Sequence, residues 1–193
     1  MKLNKIIMFL TALPALIITV SSAEENSNQG AGVWKRQLNL NYVSGFSDLV
    51  DAYELEGFTS DFEIPVGVSF SFGKEYRNGL GWDVSLGPAI LILGDVNSTI
   101  VPVGTGFKYS FKPDQKANPY LRVGAQYAFV SGDFLEDSEL GYSATVGLEF
   151  NGEGRRSWGL EVKYDSTAID FNGSRNRQEI KPYDLVIGVF FAF

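Results

Sequence analysis

The chain contains no cysteine and no histidine. Without cysteine there is no disulfide framework, no thiolate metal site, no thiol nucleophile and no lipoprotein attachment point. Without histidine the usual general base and the usual metal ligand are gone. An excess of positive charge is also missing. The formal net charge of −7 leaves no basic footprint of the kind nucleic-acid binding needs. Past residue 23 no apolar run approaches the ~20 residues a transmembrane helix takes, and no segment reads as a convincing 3.6-residue period. What remains is a chain of 193 residues, one domain's worth, with 45% apolar and 14% aromatic content and 21 glycines. That is a β-rich composition with many turns or tight positions.

The N-terminus reads as a processing segment. Lys2 and Lys5 form a positive start, residues 6–20 an apolar stretch, and Ser21-Ser22-Ala23 the small residues a signal peptidase needs. We expect a signal peptide over 1–23, cleaved before Glu24, then a linker over 24–32 and a barrel domain over 33–193. An uncleaved membrane anchor is the alternative, but the stretch is short for a span.

From residue 33 onward, apolar and polar residues alternate, as in strands with one apolar face. The expected strands cover about 33–44, 61–72, 80–93, 99–111, 119–131, 140–150, 157–166 and the C-terminal segment from Tyr183 to Phe193. In the last of these, Tyr183, Leu185, Ile187, Val189, Phe191 and Phe193 make one unbroken large-apolar face. An exposed aromatic edge of this kind invites aggregation in water. Closing a barrel in a membrane removes the edge. Eight strands is an even number, and each is about long enough to cross a bilayer when tilted. Connections near 73–79, 112–118 and 151–156 are compact, whereas those near 45–60, 132–139 and 167–178 are longer or more acidic, and the one at 94–98 is short but falls on the side of the longer loops. Short turns at one rim and long loops at the other belong to membrane barrels.

Alternation does not say which face points outward, and a soluble barrel with an apolar interior is the competing architecture. Two features favour an apolar exterior. The polar face is crowded with glycine (Gly67, Gly81, Gly87, Gly104, Gly106, Gly124, Gly147, Gly159, Gly188), which makes room in a narrow lumen but only weakens a solvent-facing strand. Aromatic residues of the apolar face also cluster at both strand ends. Phe72, Trp82, Tyr109, Phe111, Phe150, Trp158, Phe191 and Phe193 lie near the short turns, and Tyr42, Phe62, Phe129, Tyr142, Tyr164 and Tyr183 near the long loops. This is the profile of two interfaces around an apolar core. The expected fold class is therefore all-β: an eight-stranded antiparallel up-and-down transmembrane β-barrel.

On the signal peptide, the eight alternating strands, the loop asymmetry and terminal Phe193, the mature chain resembles the small eight-stranded outer-membrane β-barrel proteins of Gram-negative bacteria, the OmpA/OmpX/OmpW-like class. The resemblance implies residence in the cell outer membrane, contact with its lipids and lipopolysaccharide, and a monomeric barrel. It also implies recognition of the C-terminal strand by the barrel-assembly machinery, which maps here onto Tyr183, Val189, Phe191 and Phe193. Enzymes built on such barrels that resemble lipid A deacylases or palmitoyltransferases pair His with Ser. Lacking His, this chain is expected to be no enzyme, and to need no cofactor and no metal.

Pairing the expected strands about their turns gathers inward charges near the short-turn end: Asp83, Glu149 and Glu161 with Lys108, Arg122 and Lys163. Lys108 is expected to face Arg122, and Arg122 to face Glu149. Charges out of water need partners, so the group reads as a mutually neutralising plug; a selectivity ring in a water path is the alternative. Above it the lining is small (Gly67, Gly87, Ala89, Gly104, Gly106, Gly124, Ser143, Thr145), which leaves room for a cavity open toward the loops. Loop acids such as Asp48, Asp51, Glu54, Glu56, Asp133, Glu136, Asp137 and Glu139 read as a solvated surface or as contacts to cations. Two functions follow: a structural or surface-interaction role in the cell envelope, or a narrow channel or binding barrel for a small solute.

Overall fold

The structure, a computed structural model, describes residues 32–58, 65–92, 97–152 and 156–193. The expected signal peptide and nearly all of the expected linker lie outside the described residues. Among the described residues twelve strands and one helix follow: β1 (Val33–Val43), α1 (Phe46–Leu55), β2 (Val66–Glu75), β3 (Leu80–Leu86), β4 (Ile90–Ile92), β5 (Ser98–Ser110), β6 (Ala117–Gly132), β7 (Leu135–Ser138), β8 (Gly141–Asn151), β9 (Ser157–Asp165), β10 (Ile169–Asn172), β11 (Arg177–Ile180) and β12 (Leu185–Ala192).

Eight antiparallel staves close into a barrel. Each pairs with the next, and β12 returns to β1 in register, with Leu40 opposite Val189 and Val43 opposite Val186. The third stave has two parts. β3 pairs with both β2 and β5, whereas β4 pairs with β5 alone. This corrects the single strand expected over 80–93. Pro88 carries no N–H for a ladder, and Gly87 takes a left-handed backbone at φ 85°, so the ladder stops and resumes at Ile90. Gly67 opposite leaves the space Pro88 fills; a Cβ there would stand 2.6 Å from the proline ring.

Side-chain direction follows the pleat. Leu40, Val68, Phe107, Val123, Val146, Leu160 and Ile187 are exposed on the outer surface, while Asn41, Ser69, Gln126, Thr145, Glu149 and Phe190 are buried inside. The outside is thus apolar and the inside, below its loop end, mostly polar, the reverse of a soluble barrel. The expected girdles appear on that surface, with Tyr109, Phe111, Trp158 and Phe191 at the short-turn end and Tyr42, Phe129, Tyr142 and Tyr164 toward the loops. Phe62 lies outside the described residues.

Three departures concern the loop end. First, the segment after β1 contains a helix where a loop was expected. Phe46, Leu49, Val50 and Tyr53 recur at i, i+3, i+4 and i+7 and are buried, while Ser47, Asp48, Asp51 and Glu54 face outward. Second, β7, β10 and β11 form a small separate sheet in the order β11-β10-β7. Third, Tyr183, expected on the outward face, is completely buried and donates its hydroxyl to the Pro88 carbonyl oxygen at 2.9 Å. β12 starts only at Leu185, and residues 181–184 form a turn closed by the Asp184 amide on the Lys181 carbonyl. The alternation that fixes Leu185 to Phe193 therefore does not extend back to Tyr183.

Candidate functional site: the barrel lumen

The lumen has a polar lower part and an apolar roof. Near the short-turn end, Glu149 is 1% exposed and accepts from Lys35 Nζ at 2.7 Å, Lys108 Nζ at 2.7 Å and Ser157 Oγ at 2.5 Å. Glu75 completes the group: Lys35 lies 2.8 Å from it, Lys108 3.4 Å, and Ser110 donates at 2.7 Å. Two carboxylates and two ammonium groups thus alternate around one point, which is how charges survive away from bulk water.

A second pair lies further in. Arg122 donates from Nε (2.8 Å) and Nη2 (2.5 Å) to the two oxygens of Asp83, a bidentate fork. Its guanidinium passes directly over Gly106, where a Cβ would stand 2.8 Å from it. Glycine on the inward face therefore provides seats for large inward side chains. Gly147 and Gly159 do the same for the rings of Tyr120 and Phe190. Those two rings meet edge to face at 6.2 Å and, with Ala192, make a small apolar cluster.

The remaining members of the expected cluster find partners outside it. Glu161 accepts from Tyr120 Oη at 2.7 Å and Asn39 Nδ2 at 3.1 Å. Lys163 lies 3.1 Å from Asp165 and donates to Gln126 at 3.0 Å. Lys108 stands opposite Arg122 in the ladder as expected, but Arg122 stands opposite Thr145, and Glu149 opposite Asn118. The expectation of Arg122 facing Glu149 is corrected by four positions. The connection from β6 to β8 is no symmetric hairpin, because β7 leaves the barrel line to pair with β10. Sequence reasoning missed Lys35 and Glu75. Both continue the inward parity of their strands, but Glu75 lies beyond the point where β2 was read to end.

Between these pairs lies a cavity of about 50 Å³, lined by residues including Asn39, Ser69, Asp83, Arg122, Glu161 and Lys163. That is room for a few water molecules.

The roof is apolar. The buried face of α1 packs on inward residues at the loop end of the barrel (Val43, Ile90, Ile92, Ile100, Ala128, Val186) and on Leu135, Ile169, Phe171 and Ile180 of the small sheet, in one cluster. This corrects the expectation of a cavity open toward the loops. Polar contacts hold the roof in place. Tyr53 shares a 2.6 Å hydrogen bond with Ser98 Oγ and donates to the Asp133 carbonyl at 2.9 Å. Burial pushes its hydroxyl up to about 12. Glu56, at the end of α1, accepts from Ser174 Oγ at 2.7 Å and from the backbone N–H groups of Ser174, Arg175 and Asn176 at 3.0, 2.7 and 2.7 Å. The Ser174 hydroxyl above all, with those amides, holds its carboxyl below the usual carboxylate range. Among the described residues no group of three or more acidic side chains is arranged to hold a metal ion.

Of the residues assigned to assembly, Val189, Phe191 and Phe193 point outward, whereas Tyr183 forms part of the roof.

Solved structures share this architecture. The outer membrane protein OprG from Pseudomonas aeruginosa superposes with a TM-score of 0.57 at 11% identity, over 84% of this chain and 95% of that one. Neisserial surface protein A superposes with a TM-score of 0.50 at 14% identity, over 85% and 98%. At such identities the likeness is one of fold. No family model matches the sequence, and no curated protein matches it.

Proposed function

From a chain with the fold of the small eight-stranded outer-membrane barrels, we propose a closed barrel resident in the outer membrane that serves a structural or surface-contact role in the cell envelope and does not conduct solutes. The observation that carries this reading is the sequence of fillings along the lumen: the Glu149–Lys35–Lys108–Glu75 group, the Arg122–Asp83 fork and the α1 roof. An eight-stranded interior is only just wide enough for side chains, and here they occupy it from both ends. The apolar exterior between two aromatic girdles supports membrane residence. The exposed face of α1 and the small sheet are what such a protein offers to the outside.

In this reading outer-membrane lipids and lipopolysaccharide surround a monomeric barrel. The barrel-assembly machinery reads the outward Val189, Phe191 and Phe193, with no contribution from the buried Tyr183. Two measurements test it together. Fractionation is expected to place the protein in outer membranes, with faster gel mobility before boiling than after. Vesicles containing it are expected to retain trapped sugars. A soluble periplasmic fraction with an unshifted band sinks the membrane reading, and sugar leakage sinks the closed one.

A further inference from the structure

We infer that the short-turn rim of β1, β2 and β3 carries a binding site for the phosphate of an anionic phospholipid headgroup. The inference rests on the membrane reading above and goes beyond it by naming residues and a ligand.

Lys74 on β2 stands between two tryptophans, opposite Trp34 on β1 and Trp82 on β3. Trp34 stacks on Phe72 at 4.9 Å and meets Trp82 edge to face at 5.8 Å. The Lys74 ammonium lies 5.5 Å from the ring centroids of both Trp34 and Tyr76. The cation is thus positioned over aromatic rings rather than left to swing freely. Arg36 is the cross-strand partner of Phe72. That makes it a diagonal neighbour of Lys74, about 7–8 Å away along the sheet face, so both side-chain tips can reach one phosphate.

Among the described residues no ion pair includes Arg36 or Lys74. The acid beside them, Glu75, turns into the lumen to Lys35 and Lys108. Two cations on an otherwise apolar, outward face at headgroup depth are attracted to anionic lipid. The aromatic residues mark headgroup depth. Exposed charge differs in balance between the two ends: among the described residues the short-turn rim carries Arg77, Lys112, Lys116 and Arg156 against Asp114, whereas the loop end carries Asp48, Asp51, Glu54, Glu136, Glu139, Asp170 and Glu179 against Arg175, Arg177 and Lys181. A phospholipid suits this place better than free phosphate. Its acyl chains lie along exposed residues such as Leu38 and Val84, while Arg36 and Lys74 donate to its phosphate.

The test is lipid selection by the full chain refolded into nanodiscs of mixed phosphatidylglycerol and phosphatidylcholine, with bound lipid counted by native mass spectrometry. Wild type is expected to retain phosphatidylglycerol preferentially. Arg36→Gln with Lys74→Gln should weaken that preference about fivefold per cation removed, and Arg36→Lys with Lys74→Arg should keep it. If the neutral variant does not refold, raising salt on wild type serves instead, and the preference should fall. No preference in wild type, a preference unchanged in the neutral variant, or one indifferent to salt overturns the site while leaving the membrane reading intact. Failure to insert into any lipid overturns the membrane reading, and the site with it.

Discussion

Glu149 is the residue on which the charged group of the lumen centres. It is 1% exposed and contacts two ammonium groups and a hydroxyl, so its removal strands Lys35 and Lys108 on Glu75 alone. Glu149→Gln is expected to cost about 3 kcal/mol, because breaking a buried pair leaves charge uncompensated. Urea unfolding in lipid vesicles measures this. Glu179→Gln, at an exposed carboxylate 3.6 Å from the exposed Lys181, should change stability by less than about 0.5 kcal/mol and serves as the control. Gly147 makes the complementary point. Its missing side chain seats the Tyr120 ring, so Gly147→Ala should cost about 1–3 kcal/mol through overpacking. An unchanged unfolding midpoint would refute that steric role. Inward residues were legible in the sequence wherever parity within a strand decided them, as with Lys108, Arg122 and Glu161. Partners were not, because register across the β6–β8 connection depends on β7 leaving the barrel. Tyr183 was misplaced because parity has no meaning in the turn before β12.

At the scale of elements, the barrel staves were legible because each alternates over many residues, and the roof was not. The helix is only ten residues long, and its four-residue apolar stripe is brief beside the strand patterns around it. Even so, the spacing of Phe46, Leu49, Val50 and Tyr53 was there to be read. β7, β10 and β11 are four residues each, too short for alternation to stand out. The contact that ties these pieces together is Glu56 on the backbone of residues 174–176. Its carboxyl is depressed from the ordinary 4.5. The stabilisation it gives is therefore full above that ordinary value and is lost as pH falls through the lower folded-state value. Protection of amides in α1 and at Ser174–Asn176, taken relative to their intrinsic exchange rate at each pH, is expected to be high at neutral pH and to fall in acid below the usual carboxylate range. In Glu56→Gln it should already be lower at neutral pH, with that acid-dependent step gone. Equal protection in the variant and wild type at neutral pH would show that the carboxylate does not hold the roof.

At the scale of the whole molecule, one arrangement recurs from end to end. The apolar surface is outside, the charges inside are paired with one another, and an apolar roof covers the opening at the loops. The exterior was foreseeable from alternation, glycine placement and aromatic clustering, since a barrel wall is determined locally by the pleat. The same parity gave the inward side of the charged residues on which the proposed closure rests at the short-turn end. The roof depends on a helix and a small sheet that meet only in three dimensions. The central claim is that this lumen passes nothing, and single-channel recording in planar bilayers tests it most directly. Wild type is expected to give no conductance steps, while replacing residues 46–55 by a Gly-Ser linker together with Arg122→Ala, Lys35→Ala, Glu75→Ala, Lys108→Ala and Glu149→Ala, which removes the roof, the fork and the charged group, is expected to produce them. Discrete, reproducible steps from the folded wild-type protein would contradict the account.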